Sequence, residues 1–190
     1  MLERVHGLFN HPGARRFLLR LRVVLFLATG VAALWFADRA WLWPGFAVSM
    51  FGQLVQLWCF ATLDKNASLA TNGLYAFVRN PMYLGRFFLI LGMLMLLGSI
   101  LVIVAYTLLY WFYMVNRVKR EERHLRVVLG PPYEEYCARV RRFVPGPPYP
   151  GSHVAKWEAR LLRQNHGWWN FAATAAFWAI AIAWLLGRPG

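Results

Sequence analysis

Two polar clusters in this chain have residue types that could do chemistry. The first is Gly73-Leu74-Tyr75-Ala76-Phe77-Val78-Arg79-Asn80-Pro81-Met82-Tyr83-Leu84-Gly85, a turn-prone segment that runs straight into a long apolar stretch. The second, Arg117-Val118-Lys119-Arg120-Glu121-Glu122-Arg123-His124-Leu125, stands at the far end of that stretch. The clusters therefore sit at the two mouths of one hydrophobic hairpin. A membrane protein would build a site there for a polar ligand facing an apolar substrate. Arg117, Glu121 and His124 fall at i, i+4 and i+7, on one face of a helix. On spacing alone, a solvated helix laced by i,i+4 ion pairs is the simpler account of that face. A function requires other groups to converge on it. The segment before Pro81 can supply them. Asn80 suits a helix N-cap and Pro81 the first helical position. A helix N-terminus presents free N–H groups and partial positive charge, so it can receive a carboxylate. Tyr75 and Tyr83 offer ring faces and hydroxyls, or serve as an interfacial aromatic belt. Arg79 can pair with Glu121 or Glu122, or contact a lipid phosphate.

The elements that must position these clusters are membrane segments. Apolar residues make up 59% of the 190 and charged residues only 15%. Soluble domains are nearer half apolar and about a quarter charged. Phe17 to Ala37 and Trp41 to Leu63 each approach the roughly twenty residues that cross ~30 Å of hydrocarbon. Met82 to Val115 is too long for one span and reads as a tight helical hairpin turning at Gly98-Ser99. Its second helix is expected to run on to Gly130, where Pro131-Pro132 forbid continuation. Tyr133 to Arg142 and residues 153–165 read as amphipathic helices, the second lying in the interface, and Gly167 to Gly187 as a fifth span. The fold class is all-α integral membrane, with five transmembrane segments and cytosolic amphipathic helices. The first apolar segment is too long for a cleavable signal.

Net charge is +13, but the basic residues flank apolar runs and form no continuous stripe. That argues for membrane topology and anionic headgroups, and against nucleic acid. The 117–165 segment carries eleven Lys/Arg. The positive-inside rule then puts the N-terminus and both clusters in the cytoplasm and the C-terminus outside. The expected location is an inner membrane of bacterial or archaeal type. Cys59 lies in an apolar run and Cys137 in a basic one, so two free thiols are expected.

The order of the pieces is more specific than any one of them. Gly-x-Tyr-x-x-x-Arg-Asn-Pro-x-Tyr-x-Gly precedes the hairpin. Arg-x-x-x-Glu-Glu-x-x-Leu, Gly-Pro-Pro-Tyr-Glu-Glu-Tyr and Val-Arg-Arg-Phe-Val-Pro follow it. Over roughly residues 45–145 this resembles the integral-membrane methyltransferases of the isoprenylcysteine carboxyl methyltransferase and phospholipid N-methyltransferase superfamily. The resemblance implies a methyltransferase core at 45–145 within a single membrane domain. It leaves 153–190, an interfacial helix and an extra span, unexplained. It implies S-adenosyl-L-methionine as cofactor, held by Tyr75, Arg79, Asn80, Pro81, Met82, Tyr83 and Glu121. It places Arg117 toward the acceptor. Asn80 stands where the carboxyl methyltransferases carry histidine, and Asn-Pro-Met-Tyr is the phospholipid N-methyltransferase form.

Methyl transfer from a sulfonium needs alignment more than chemistry from the protein: an in-line nucleophile at ~3–3.5 Å, with water excluded. No metal is required. A lipophilic or lipid acceptor would enter from the bilayer. A carboxylate acceptor could be held by Arg117, and an amine would have to give its proton to Glu122 or water. A non-enzymatic protein that binds lipid or a partner through its basic face is the competing class. A reductase is a third, because sterol reductases resemble part of this architecture.

Overall fold

The structure, a computed structural model, describes residues 35–64 and 69–188, and every element assigned among them is helical. The expected first span at 17–37 lies outside the described residues except at its last three positions. Six α-helices follow in order. They are α1 (Leu42–Thr62), α2 (Pro81–Met95), α3 (Ile100–Leu129), α4 (Pro131–Arg139), α5 (Ala159–Gln164) and α6 (Gly167–Gly187). Three helical stretches, Arg39–Thr62, Ile100–Leu129 and Gly167–Gly187, are long and apolar enough to cross a membrane. With fifteen residues, α2 is only about 22 Å long.

The most extensive helix interface is between α1 and α2, and small residues make it possible. A Cβ on Gly45 would stand 2.6 Å from the Gly92 carbonyl oxygen, and one on Gly52 would stand 2.5 Å from that of Gly85. The helices thus touch backbone to backbone. Small residues serve this end where apolar burial gives no preference for protein over lipid. At the open end, the Asp38 N–H donates to the Leu96 carbonyl at 2.8 Å, tying the start of α1 to the end of α2.

The break between α2 and α3 falls at 96–99, where Gly98 takes φ +61° and Ser99 occupies the N-cap of α3. Only Tyr110, Met114, Val118 and Glu122 of α3 are buried. They form one stripe at i, i+4, i+8 and i+12, the face of a helix that packs along one side only. Leu101, Leu109 and Phe112 are 78%, 71% and 66% exposed, which leaves the rest of the helix as an apolar outer surface. At Gly130 the chain turns with φ +59°, a conformation in which a Cβ is strained.

Two helices are shorter than, or displaced from, what the sequence suggests. α4 begins at Pro131, because the N–H groups of the first helical positions have no intrahelical acceptor and proline loses no bond there. It ends at Arg139 because the following residues bond elsewhere: the Arg79 N–H donates to the Arg141 carbonyl at 2.9 Å. The helix expected over 153–165 is reduced to Ala159–Gln164. Its first half is drawn into extended contacts, Gly73 N–H to the His153 carbonyl at 3.1 Å and Glu158 N–H to the Ala61 carbonyl at 2.9 Å. Asn165 then donates to the Phe60 and Leu63 carbonyls at 2.9 and 2.7 Å, satisfying acceptors at the end of α1.

α6 packs on α1 through a polar seam. The Trp178 indole donates to Ser49 Oγ at 2.9 Å, and the Thr174 hydroxyl donates to Gln53 Oε1 at 2.8 Å. Around it Leu42, Leu96, Trp178, Ala181 and Leu185 form an apolar cluster.

Candidate active site

The pocket where the polar clusters meet has a volume of about 380 Å³, within the usual range for small-molecule sites. It is built by three stretches of chain. The end of α1 and the following loop give Leu63, Asp64, Leu69 and Ala70. The Gly73–Ala76 turn and the start of α2 give Tyr75, Arg79, Asn80, Met82 and Tyr83. α3 and α4 give Glu121, Leu125, Leu129, Tyr133 and Tyr136. The turn is held in place by the chain after α4. Besides the Arg79–Arg141 bond, Gly146 N–H donates to the Phe77 carbonyl at 3.0 Å and Tyr149 N–H to that of Ala76 at 2.9 Å.

Six of the seven residues expected to hold a cofactor line this pocket: Tyr75, Arg79, Asn80, Met82, Tyr83 and Glu121. Pro81 is buried behind it as the first residue of α2. Tyr83 donates its hydroxyl to Glu121 Oε2 at 2.6 Å, so the two clusters touch here. His124 shares the Arg117 face by spacing but is not part of the wall. Leu125 and Leu129 take that place, at i+4 and i+8 from Glu121, a stripe visible in the sequence as a glutamate followed by two leucines.

The acidic pair divides in two. Glu121 is exposed, whereas Glu122 is buried at 3% exposure. Arg142 grips Glu122 bidentately, with Nη2 to Oε2 at 2.6 Å and Nε to Oε1 at 3.1 Å. Arg79 Nε lies 3.6 Å from the same carboxylate. This is the fork-on-carboxylate geometry that makes arginine pairs strong. The hydrogen bonds that Arg142 donates to Glu122 hold its guanidinium above its ordinary pKa. Glu122 does not line the pocket, so the expectation that it accepts a substrate proton meets a carboxylate already committed to two guanidinium groups.

Asn80 also departs from expectation. It occupies the N-cap position of α2, yet its side chain caps nothing. Its amide instead donates to the Arg142 carbonyl at 3.3 Å and toward Glu122 Oε1 at 3.4 Å. The first turn of α2 is left without a side-chain cap at the pocket. Arg117 stands one turn before Glu121, exposed beside Tyr83, and outside the pocket lining.

Arg142, Tyr133 and Tyr136 belong to the two motifs that follow the hairpin, and their type and spacing alone give them no role. Tyr133 and Tyr136 are 3% and 2% exposed. The Tyr136 hydroxyl donates to the Tyr75 carbonyl at 2.6 Å, clamping the turn to α4. Burial pushes the hydroxyls of Tyr75 and Tyr136 well above the usual tyrosine pKa, so both stay neutral in any physiological buffer. Tyr136→Phe removes one buried hydrogen bond and leaves the Tyr75 carbonyl unsatisfied. Thermal unfolding should show a loss of about 1–2 kcal/mol, with secondary structure unchanged.

The family model for phospholipid methyltransferases matches residues 22–131. The chain belongs to the phospholipid methyltransferase family. The match covers α1, α2, α3 and the Gly73–Ala76 turn, and leaves α5 and α6 outside. Among curated relatives, the chain is similar to the protein-S-isoprenylcysteine O-methyltransferase of Schizosaccharomyces pombe, with 37% identity over 82 residues. That alignment covers 43% of this chain and 35% of the relative. The enzyme of the same name from Tribolium castaneum is 36% identical over 99 residues, 52% of this chain and 34% of the relative. The human one is 35% identical over 78 residues, 41% and 28% of the two chains. The alignments thus span about a third of the length of these relatives. No solved structure matches the chain. The family implies a methyl donor, and with three spanning-length helices it makes this an integral membrane protein.

Proposed function

We propose that this phospholipid methyltransferase family member transfers a methyl group from S-adenosyl-L-methionine to a lipophilic acceptor that enters from the bilayer. The observation that carries the reading is the pocket itself. A cavity with a mostly apolar wall, into which Arg79, Asn80, Tyr83 and Glu121 bring polar groups beside Tyr75 and Met82, lies where the start of α2 meets the polar end of α3. The donor set fits such a ligand. Arg79 lines the pocket with its Nε held 3.6 Å from the Glu122 carboxylate, and the first turn of α2, which has no side-chain cap, offers N–H groups, so both suit a carboxylate. Glu121 offers an acceptor for hydroxyl or amino groups and a negative charge for a cation. Tyr75, Tyr133 and Tyr136 supply flat apolar walls.

When bound, the sulfonium supplies an already activated methyl, so the work of the chain is positional. Glu121 is aimed by Tyr83. Arg79 is aimed by Glu122, which Arg142 in turn fixes. Leu63, Leu69, Leu125 and Leu129 keep water from one side of the cavity, strengthening each charge interaction inside. Arg117, beside Tyr83, faces the acceptor side of this arrangement. The same reading takes residues 45–145 as the catalytic core, five segments as the full membrane count, and the cytoplasm as the side on which the pocket opens. The relatives are O-methyltransferases by name, which favours an oxygen acceptor, and a carboxylate acceptor gives up no proton. An amine acceptor would lose its proton to water, Glu122 being engaged.

Calorimetry of the purified protein with S-adenosylmethionine, its demethylated product and NADPH tests the reading. Binding of the first two and not the third is expected. Binding of NADPH alone would make the protein a reductase, and binding of none would make it a non-enzymatic lipid or partner binder. Glu121→Gln should weaken S-adenosylmethionine binding by roughly tenfold, because a hydrogen bond to a charged group contributes about 1.5–3 kcal/mol. Exposed Glu134→Gln should leave it unchanged. Equal affinities in both variants would remove Glu121 from the site.

A further inference from the structure

Among the described residues, one arginine near the site has no carboxylate to pair with. Arg86 lies in α2, five residues past Pro81, about 7–8 Å along the helix from the pocket mouth. Its surroundings are apolar and aromatic. Its guanidinium sits 5.9 Å from the centroid of the Tyr83 ring, and Tyr106 and Tyr110 of α3 are within its electrostatic reach. Those two hydroxyls are already donating, Tyr110 to the Tyr83 carbonyl at 2.8 Å and Tyr106 to the Phe87 carbonyl at 3.2 Å. Among the described residues, no carboxylate forms an ion pair with Arg86. Arg79 and Arg142, by contrast, share Glu122.

A half-buried arginine in an apolar helix is costly unless an anion meets it. The side chain remains partly accessible, so the anion can come from outside the fold. Its position narrows what that anion is. Tyr83 lines the pocket, and Arg86 stands one turn deeper along the same helix (i, i+3), level with the apolar outer surface of α3. An oxyanion held there would have its hydrocarbon tail along α2 and α3 and its polar end within reach of the pocket mouth.

We propose that Arg86 is a specificity-determining residue that binds the oxyanion, carboxylate or phosphate, of a lipophilic acceptor beside Tyr83, where α2 faces α3. This rests on the methyl-transfer reading for its role and on Arg86 alone for its binding. The full chain in a neutral detergent is titrated with decanoate, decyl phosphate and decanol. The parent should bind both oxyanions at least tenfold more tightly than decanol. Arg86→Gln should reduce that preference about tenfold. Arg86→Lys should keep part of it, since charge survives but the bidentate fork does not. Arg120→Gln, on the exposed face of α3, should keep all of it.

An unchanged preference in Arg86→Gln overturns the proposal, as does an equal loss in Arg120→Gln, which would mean a diffuse positive surface. Displacement of decyl phosphate by inorganic phosphate at equal concentration also overturns it, because the site would then read a free ion and not an amphiphile. If Arg86→Gln does not fold, Arg86→Lys decides: its oxyanion affinity must fall while its decanol affinity does not. Affinity for the demethylated product is measured on the same samples. A parent that fails to bind it, yet shows Arg86-dependent oxyanion binding, sinks the methyl-transfer reading and leaves the Arg86 site standing.

Discussion

Glu122→Gln should destabilise the protein by about 3 kcal/mol, far more than the same change at its neighbour Glu121. Removing one member of a buried ion pair strands the others, a loss of roughly 3–5 kcal/mol. Here two guanidinium groups are stranded, Arg79 at 11% and Arg142 at 34% side-chain exposure. The exposure of Arg142 lets water recover part of the loss, which sets the estimate at the lower end. For a chain of this size 3 kcal/mol lowers Tm by roughly 6–12 °C. Glu121 is exposed and makes one bond, to Tyr83, so Glu121→Gln should melt close to the parent while losing cofactor affinity. Adjacent glutamates thus separate into one buried in an ion-pair network and one that lines the pocket. Arg142→Gln in the Glu122→Gln background should cost less than in the parent, a coupling of 0.5 kcal/mol or more that a double-mutant cycle would measure. A Glu122→Gln protein that melts with the parent but no longer turns over would restore Glu122 as the proton acceptor.

The division between Glu121 and Glu122 shows where the sequence is readable. Their types, and their place at the end of an apolar helix, mark a site. Which of them faces inward depends on the phase of α3, and that phase is set by Tyr110, Met114 and Val118 packing at four-residue intervals. Counting forward by four from Tyr110, Met114 and Val118 assigns Glu122 to the interior. Starting from the polar end, with Arg117, Glu121 and His124 as a face, gives no such reference. Local punctuation was more reliable. Gly98-Ser99 breaks the apolar run, and Gly130-Pro131 ends α3, because a positive φ and a missing N–H are properties of single residues.

Long-range pairing was not legible in the same way. Nothing local to Arg142 says that it will reach Glu122, twenty positions back. That contact exists because Arg79 bonds to Arg141 and Asn80 to Arg142, laying the chain after α4 against the start of α2. The same bonding dissolves the first half of the helix expected over 153–165. The periodicity there is amphipathic, but the backbone from His153 to Glu158 finds partners at Gly73, Thr62 and Ala61. Asn80 is the sharpest case. Its type and its place before Pro81 are those of an N-cap, yet the buried Glu122 and the Arg142 carbonyl recruit its amide as a donor.

Gly52→Ala should cost about 3 kcal/mol of stability and lower turnover by roughly a hundredfold, although Gly52 touches no part of the pocket. A Cβ at this position would stand 2.5 Å from the Gly85 carbonyl oxygen and 2.9 Å from Leu89 Cα. Both obstacles are backbone, so no rotamer change relieves them and the helices must part. Overpacking costs about 1–3 kcal/mol, and backbone obstacles put this case at the upper end. A gap of 0.5–1 Å forfeits about a quarter to a half of the dispersion well for each contact along the seam. The effect on turnover follows from what α2 carries. Asn80, Met82 and Tyr83 enter the pocket from its first turn, directly before Gly85, and a misplacement of about 1 Å can cost 10²-fold in rate. Gly187→Ala is the matched control, since a Cβ there meets nothing within 4 Å. Small residues at 45, 49 and 52 and at 85 and 92 spell out this contact in the sequence, and both sets share one helix face each. Measured in one detergent, Gly187→Ala should melt and turn over like the parent. If Gly52→Ala does the same, α1 and α2 are not in backbone contact, and the pocket wall is held by the loop bonds of Arg79 and Asn80 alone.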